Sequence, residues 1–174
     1  FYPMKKLLIL LERARNSSFQ RRILDFALAR AIPFNSPHGF RIIEVFEDGI
    51  KILLPYKRKN LNHLKGIHAC ALATLSEFTA GITLAKLSGT DSYRLIMKEL
   101  SMVYHYQAKE DVVAELHFPS EEFKNKITLP LNSQDAVFVE IVVELFDVKK
   151  NHISTGKVNW QIKKWEKVKT KTGS

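Results

Sequence analysis

One acidic residue stands out in a long apolar stretch of the sequence. Glu77 is the only Asp or Glu between Lys65 and Asp91, and its neighbours are mostly Ala, Leu, Thr and Phe. An ionised carboxylate among apolar side chains costs free energy unless it is paired with a cation or used in chemistry. A carboxylate can act as a general base or as a nucleophile, so Glu77 is the first candidate for a catalytic group. The alternatives are an acid that is simply paired with a lysine and one that reaches solvent where two copies of the chain meet.

Polar residues crowd the segment just before this stretch. The run reads Asn60-Leu61-Asn62-His63-Leu64-Lys65-Gly66-Ile67-His68-Ala69-Cys70. Asn60 and Asn62 are residue types that shape turns, and His68 could cap a helix or take part in a site. Cys70 close to His68 permits a Cys/His nucleophile, but a small buried thiol is far more common. The histidines show no paired spacing of metal ligands, so no metal site is expected.

The elements that must position these residues follow from periodicity. Residues 66–87 are nearly uncharged and predict one long helix that is buried on most sides. Before it, residues 4–30 indicate two short helices and residues 39–54 indicate a hairpin of two strands. After it, four strands are expected at residues 92–107, 112–118, 137–147 and 153–165, with turns or loops between them.

Two of these strands show which side faces the core. In residues 137–147 the odd positions are all apolar up to Leu145, and in the last strand Val158, Trp160 and Ile162 alternate with polar residues. The order of elements predicts an α+β fold in which a curved antiparallel sheet of about six strands wraps the buried helix. Residues 1–32 would form an N-terminal helical extension, and residues 166–174 a disordered basic tail.

Composition and charge limit the classes of protein. The chain has 174 residues, one cysteine and no apolar run long enough to span a bilayer, which favours a single soluble domain in the cytoplasm. The first residue is Phe1, so the natural start is expected to lie upstream. A net charge of +9 suits a nucleic acid, an anionic membrane surface, a polyanionic small molecule or simply a solvated surface. The basic N-terminal helix could lie on a membrane, although packing on its own domain is the favoured interpretation.

The run around His68 resembles the signature of hotdog-fold thioesterases of the phenylacetyl-CoA thioesterase-like kind. In those proteins an Asn-containing loop leads to Gly-x-x-His-Gly-Gly at the start of the central helix, and an Asp or Glu follows nine residues after the histidine. Gly66, His68 and Glu77 stand at matching positions. The sequence also resembles a branch of uncharacterised hotdog domains, in which Pro-Phe-Asn precedes the first strand as it does at residues 33–35. The similarity covers residues 33–165, which would be the hotdog domain.

The resemblance implies an acyl-CoA thioesterase and a role for each residue. The backbone N–H of Ala69 would polarise the thioester carbonyl, Glu77 would act as nucleophile or as base for water, and His68 would orient the substrate or the loop. Asn62 is a further candidate catalytic residue, with a role in shaping the turn as the alternative. The physics agrees, since a helix N-terminus offers free N–H groups and a positive dipole to an oxyanion. The double glycine of the family is Ala69-Cys70 here, which adds side chains where the thioester must approach and predicts weak or altered activity.

Helix geometry predicts that the site is shared between two chains. Nine residues of helix place Glu77 roughly 13 Å from His68 and about 180° around the axis, so both cannot easily serve one carbonyl within a chain. Two central helices packed antiparallel about a two-fold axis would bring each Glu77 near the other helix N-terminus. A homodimer is therefore expected, and pairing of dimers into a tetramer is left open.

Several partners and alternatives complete the interpretation. Lys57, Arg58, Lys59 and Lys65, with Gly66, would bind the phosphates of coenzyme A, which enters as part of the substrate; a solvated surface is the alternative. No separate cofactor is expected.

The second hypothesis is a non-catalytic acyl-CoA or fatty-acid binding protein that has lost efficient chemistry. Nucleic-acid binding rests on charge alone, because no recognised motif is present, and is not expected.

Overall fold

The computed structural model describes residues 4–89 and 92–168. Within these ranges a six-stranded antiparallel sheet curves around one long helix, and two further helices precede the first strand. The predicted α+β architecture is confirmed, including the number of strands. Residues 169–174, most of the predicted disordered tail, lie outside the described residues.

Two helices begin the chain, as the sequence predicts. They are α1 (Met4–Ala14) and α2 (Ser18–Ala31). The break falls at Ser17, whose hydroxyl accepts a hydrogen bond from the Gln20 N–H and caps α2. Leu11 of α1 and Leu24 and Leu28 of α2 are buried in the same hydrophobic cluster as the sheet. The two helices therefore share the core of the domain.

The strands form a single sheet in the order β1-β2-β4-β5-β6-β3. Their bounds are β1 Arg41–Val45, β2 Gly49–Leu54, β3 Tyr93–Tyr104, β4 Val112–His117, β5 Val137–Asp147 and β6 His152–Lys164. Every pair of neighbours is antiparallel. The alternation predicted for β5 and β6 is confirmed, because the odd residues of β5 and the apolar residues of β6 are buried.

The long helix α3 (Ala69–Ser88) lies on the concave side of the sheet and ends at Gly89, which has a φ of 62°. Buried hydroxyls on this helix bond to the carbonyl one turn earlier, as Thr79 does to Leu75, so they are satisfied inside the core. The helix packs closely against the sheet at Gly156 of β6. A Cβ on Gly156 would lie 2.5 Å from the Ser76 Oγ, so only glycine permits this approach.

A fourth helix is not apparent from the sequence, where the connection between β4 and β5 reads as turns or loops. Helix α4 (Ser120–Phe123) continues as a π-helical turn over Lys124–Thr128. Phe123, Ile127 and Leu131 are buried along it. Their spacing of four residues is a helical pattern, but Pro130 and the polar residues between them hide it in a short segment.

Candidate functional site

The loop before α3 is held in place by Asn60. This residue is only 1% exposed, and its amide donates hydrogen bonds to the carbonyls of His38 and Pro55. Its own backbone carbonyl accepts a hydrogen bond from the His68 N–H at 2.7 Å. Asn60 is therefore a structural anchor that fixes where the helix begins.

Asn62 shapes the turn that follows. Its Oδ1 accepts hydrogen bonds from the N–H groups of Leu64 and Gly66, at 2.9 and 3.1 Å. Lys65, between them, has a φ of 57°, so the left-handed position of the turn falls on a lysine and not on Gly66. Both backbone groups of Gly66 are bonded to Asn62. The structure thus gives Asn62 and Gly66 a role in positioning the loop, while their predicted contacts with a substrate stay predictions.

His68 is the N-cap of α3. Its Nδ1 accepts a hydrogen bond from the Cys70 N–H at 3.1 Å. Two backbone N–H groups follow the histidine, those of Ala69 and Cys70, and this bond occupies the second. Among the described residues, no group accepts a hydrogen bond from the Ala69 N–H. One free amide therefore stands at the positive end of a 20-residue helix.

Ala69 is one of the residues that line a pocket of about 300 Å³ at the start of α3. The residues that line it come from the loop, α3 and the end of β3: Asn62, Ile67, Ala69, Leu72, Tyr104, His105, Tyr106, Gln107 and Ala108. The Tyr104 hydroxyl donates a hydrogen bond to the Ala69 carbonyl at 3.1 Å. Gln107 packs over Gly66, where a Cβ would lie 2.9 Å from its Nε2. Sequence reasoning misses Tyr104 and Gln107, whose only signal is a polar cluster at the end of the strand predicted over residues 92–107.

Glu77 lies away from this pocket, half-buried on α3. Eight residues of helix separate it from Ala69, which is about 12 Å along the axis. Among the described residues, no group donates a hydrogen bond to its carboxylate or forms an ion pair with it. Burial raises the pKa of Glu77 above its ordinary value of 4.5. Among the described residues no lysine pairs with Glu77, which argues against one of the two alternative interpretations.

The basic residues before the loop divide into two kinds. Arg58, Lys59 and Lys65 are exposed, and Lys57 is partly buried with its Nζ packed over Gly39. Burial, and secondarily the charge of Lys59, lowers the pKa of Lys57. Within residues 4–89 and 92–168, none of these four cations forms an ion pair with an acid.

Two exposed surfaces lie beside the site. Strand β3 is an edge of the sheet, and Met97, Val103 and Tyr104 on it are more than 40% exposed. On α3, the side that is not fully covered carries small residues near Glu77: Cys70, Ala73 and Thr74. The described residues contain no group of three side chains able to hold a metal ion. They also contain no helix that is long and apolar enough to cross a membrane.

A comparison with models of protein families shows to which family the chain belongs. The profile described as "Domain of unknown function (DUF4442)" matches residues 20–162. The chain belongs to the DUF4442 family. This match begins inside α2, so part of the N-terminal extension is family sequence, and it includes the loop, α3 and Glu77. No curated protein matches the sequence.

Solved structures show the same fold as this DUF4442 domain. A protein of unknown function from Pseudomonas aeruginosa, PA5026, described as a probable thioesterase, has a TM-score of 0.71 at 20% identity, over 78% of this chain and 90% of the other. Protein OLEI01261 of unknown function from Chlorobaculum tepidum has a TM-score of 0.72 at 13% identity, over 87% and 99%. A mutant of the thioesterase SAV0944 from Staphylococcus aureus has a TM-score of 0.58 at 18% identity, over 75% and 98%. The predicted hotdog fold is thus confirmed.

Proposed function

We propose that the protein hydrolyses acyl thioesters of coenzyme A at a site that two copies of the chain share. Glu77 is the observation that carries this proposal. Its carboxylate is half-buried without a hydrogen-bond or ion-pair partner among the described residues, on the open side of a helix that begins at a free amide. An unpaired, partly dehydrated acid on an open helix face is costly for folding alone, so a use in chemistry explains it best.

The chemistry follows from the two groups. The Ala69 N–H would donate a hydrogen bond to the thioester carbonyl oxygen and stabilise the negative charge that develops there. Glu77 would take a proton from water, whose oxygen attacks the carbonyl carbon; the C–S bond then breaks, and the thiol leaves with the proton. Direct attack by the carboxylate would give an anhydride that water hydrolyses to the same products. The raised pKa of Glu77 suits a base that works near neutral pH.

Sharing of the site follows from distance. About 12 Å of helix separates Ala69 from Glu77 in one chain, too far for both to reach one carbonyl. Small side chains around Glu77 would let a second α3 approach closely in antiparallel orientation, and the open edge of β3 could continue the sheet into that copy. Each Glu77 would then meet the helix N-terminus of its partner.

The unpaired cations beside the loop support coenzyme A as the carrier. Arg58, Lys59 and Lys65 are exposed near the start of α3 and have no acidic partner among the described residues, so they are free to bind phosphate groups. The one cysteine, Cys70, is free and exposed, which suits the reducing cytoplasm that we propose as its compartment.

A second candidate is acyl-CoA binding without turnover. Its support is the hydrogen bond from the Cys70 N–H to His68, which leaves one amide donor for an oxyanion. Loss of a single oxyanion donor costs about 100- to 1,000-fold in rate in enzymes where it has been removed. A hotdog protein with one donor could therefore retain the ligand and lose efficient hydrolysis.

Thiol release from a panel of acyl-CoAs separates the two candidates. We expect Glu77→Gln to lower the rate by about 100-fold or more, as removal of a general base does. Glu140→Gln, on the exposed outer face of β5, is the matched control and should leave the rate unchanged. Binding of acyl-CoA without thiol release that depends on Glu77 would favour the second candidate.

Mixing two inactive variants tests the shared site. Ala69→Pro removes the amide hydrogen, and proline fits the first helical position, where the preceding His68 is already extended with ψ of 138°. Refolded together with Glu77→Gln, it should restore about a quarter of the wild-type rate, since half of the random dimers have one intact composite site. If the mixture is no more active than its components, the site is not shared in this way.

A further inference from the structure

Gly81 separates Glu77 from an aromatic ring on the sheet. A Cβ built on Gly81 would lie 3.7 Å from the Glu77 Oε1. The same Cβ would lie 3.2 Å from Cη2 and 3.3 Å from Cζ2 of Trp160. The carboxylate and the edge of the indole thus lie near the same point, and the absence of a side chain at Gly81 lets them do so.

Trp160 is held firmly in that position. It is 5% exposed, near the middle of β6, where it pairs with Val139 of β5 and Met97 of β3. Its Nε1 is buried, and no acceptor for the N–H is found among the described residues. The indole therefore donates no hydrogen bond to Glu77, so any effect of the ring on the carboxylate comes from the space that the ring fills.

Burial is the one influence on Glu77 that the structure shows. No charged or titratable side chain of β3, β5, β6 or α3 itself, within the described ranges, contributes to the shift of its pKa. A dehydrated carboxylate holds its proton more tightly and is a stronger base when ionised. Lysozyme offers a parallel, since a carboxyl group packed against an indole in a hydrophobic pocket there has a raised pKa.

We propose that Trp160 is a positioning residue for Glu77. Its ring keeps water from one side of the carboxylate and makes the carboxylate a stronger base, and the lack of a side chain at Gly81 lets the two groups lie close together. This deepens the proposed function and rests on it only for the role of Glu77 in turnover. The effect on the acid itself is a property of the folded chain.

Trp160→Phe tests the proposal directly. Phenylalanine is too short to place atoms where Cζ2 and Cη2 lie beside Gly81, so water should enter and the pKa of Glu77 should fall towards its ordinary value. The pKa is measured by NMR titration of the side-chain carboxyl carbons in protein labelled with ¹³C-glutamate, with Glu77→Gln to assign the signal. Trp165→Phe is the matched control, since Trp165 is exposed and stacks with Arg94, and it should not move the Glu77 signal.

Gly81→Ala should shift the pKa of Glu77 in the opposite direction, and it does so without opening a cavity in the core. The added methyl would touch the Glu77 Oε1 and displace more water, so the pKa of Glu77 should rise. Alanine also has the higher helix propensity of the two residues, which helps this variant to fold. Shifts of opposite sign in the two variants would support the proposal.

A Glu77 pKa that is unchanged in both variants would overturn it. With an active enzyme, the acid limb of the pH–rate profile should move to lower pH in Trp160→Phe and to higher pH in Gly81→Ala. A merely structural role for Trp160 would lower the rate without moving the limb. Should the wild type show no hydrolysis that depends on Glu77, the proposed function fails, but the NMR titration still decides the role of Trp160.

Discussion

Replacement of Asp25 by asparagine should make the protein more stable above about pH 6, because the Asp25 carboxylate is partly buried. Asp25 is on α2, and its Oδ1 accepts a hydrogen bond from the Ile42 N–H at 2.8 Å, which ties the helix to β1. Beside it is a cavity of about 30 Å³, the size of one water molecule, that is also lined by the buried Asn35. An asparagine side chain can accept the same hydrogen bond without a charge.

The magnitude follows from the pKa of Asp25. Burial raises it from 3.8 to about 6, although the Ile42 N–H and the charges of Arg41 and Arg21 act against this. At 1.36 kcal/mol for each pKa unit, the ceiling is about 3 kcal/mol. The carboxylate is partly exposed, so solvent screening reduces the expected gain to about 1 kcal/mol.

The pH dependence has a definite sign. The folded state holds the proton of Asp25 more tightly than the unfolded state. The free energy of unfolding therefore falls as the pH rises from 3.8 to about 6, and above about pH 6 the penalty from Asp25 is constant. The asparagine of the variant does not titrate. Its advantage over the wild type should therefore be close to zero near pH 4 and reach its full value above about pH 6.5.

Urea unfolding of the two proteins at a series of pH values measures this difference. Comparison at each pH cancels the titration of all other groups, including Asp48, whose pKa is lowered by its hydrogen bond to His117. Asp48→Asn is a useful counter-control, because it should destabilise the protein at neutral pH. If Asp25→Asn is destabilising at pH 7.5, or if its effect is independent of pH, the account of Asp25 as a dehydrated acid is wrong.

Two further substitutions test other contacts. Gly156→Ala should cost about 2 kcal/mol or more in the free energy of unfolding, since a Cβ there would lie 2.7 Å from the Ser76 Cβ, and Ser76→Gly should recover part of that loss in a double-mutant cycle. His117→Gln should cost less than about 1 kcal/mol near pH 5.5 and nothing near pH 8.5. The pKa of His117 is raised above 6.5, first by Asp48, so its contribution is present below pH 6.5 and is lost as pH rises through the raised value. Thermal or urea unfolding at the two pH values checks this, and an equal loss at both would contradict it.

The sequence predicts the elements whose pattern is long. The alternation over Val137–Asp147 and the nearly uncharged run that becomes Ala69–Ser88 are each predicted correctly to within a few residues. Both patterns are long because the strand must bury one face and the helix most of its surface. The segment Ser120–Thr128 escapes prediction, because it is too short for its buried residues to show a period. Glu77 stands out in the sequence for the same reason that it matters in the structure, as a charge with no partner among the described residues.

What the sequence could not supply are contacts between distant segments. Tyr104 and Gln107 reach the pocket only because β3 runs beside β6 and ends near the start of α3. Trp160 meets Gly81 through the packing of β6 against α3, two elements that are far apart in the chain. The hydrogen bond from Cys70 to His68 depends on one rotamer of the histidine. Such features arise from tertiary packing, which local pattern does not encode.

The open edge of β3 has a consequence for handling the protein. Along its twelve residues, the backbone N–H and C=O groups that do not bond β6 point outward, and Val103 and Met97 on the strand are exposed. An unprotected edge of this length is a template for uncontrolled association with other extended chains. Variants designed to keep the chain monomeric should therefore place a lysine or a proline on that edge, or they will tend to aggregate during expression and concentration.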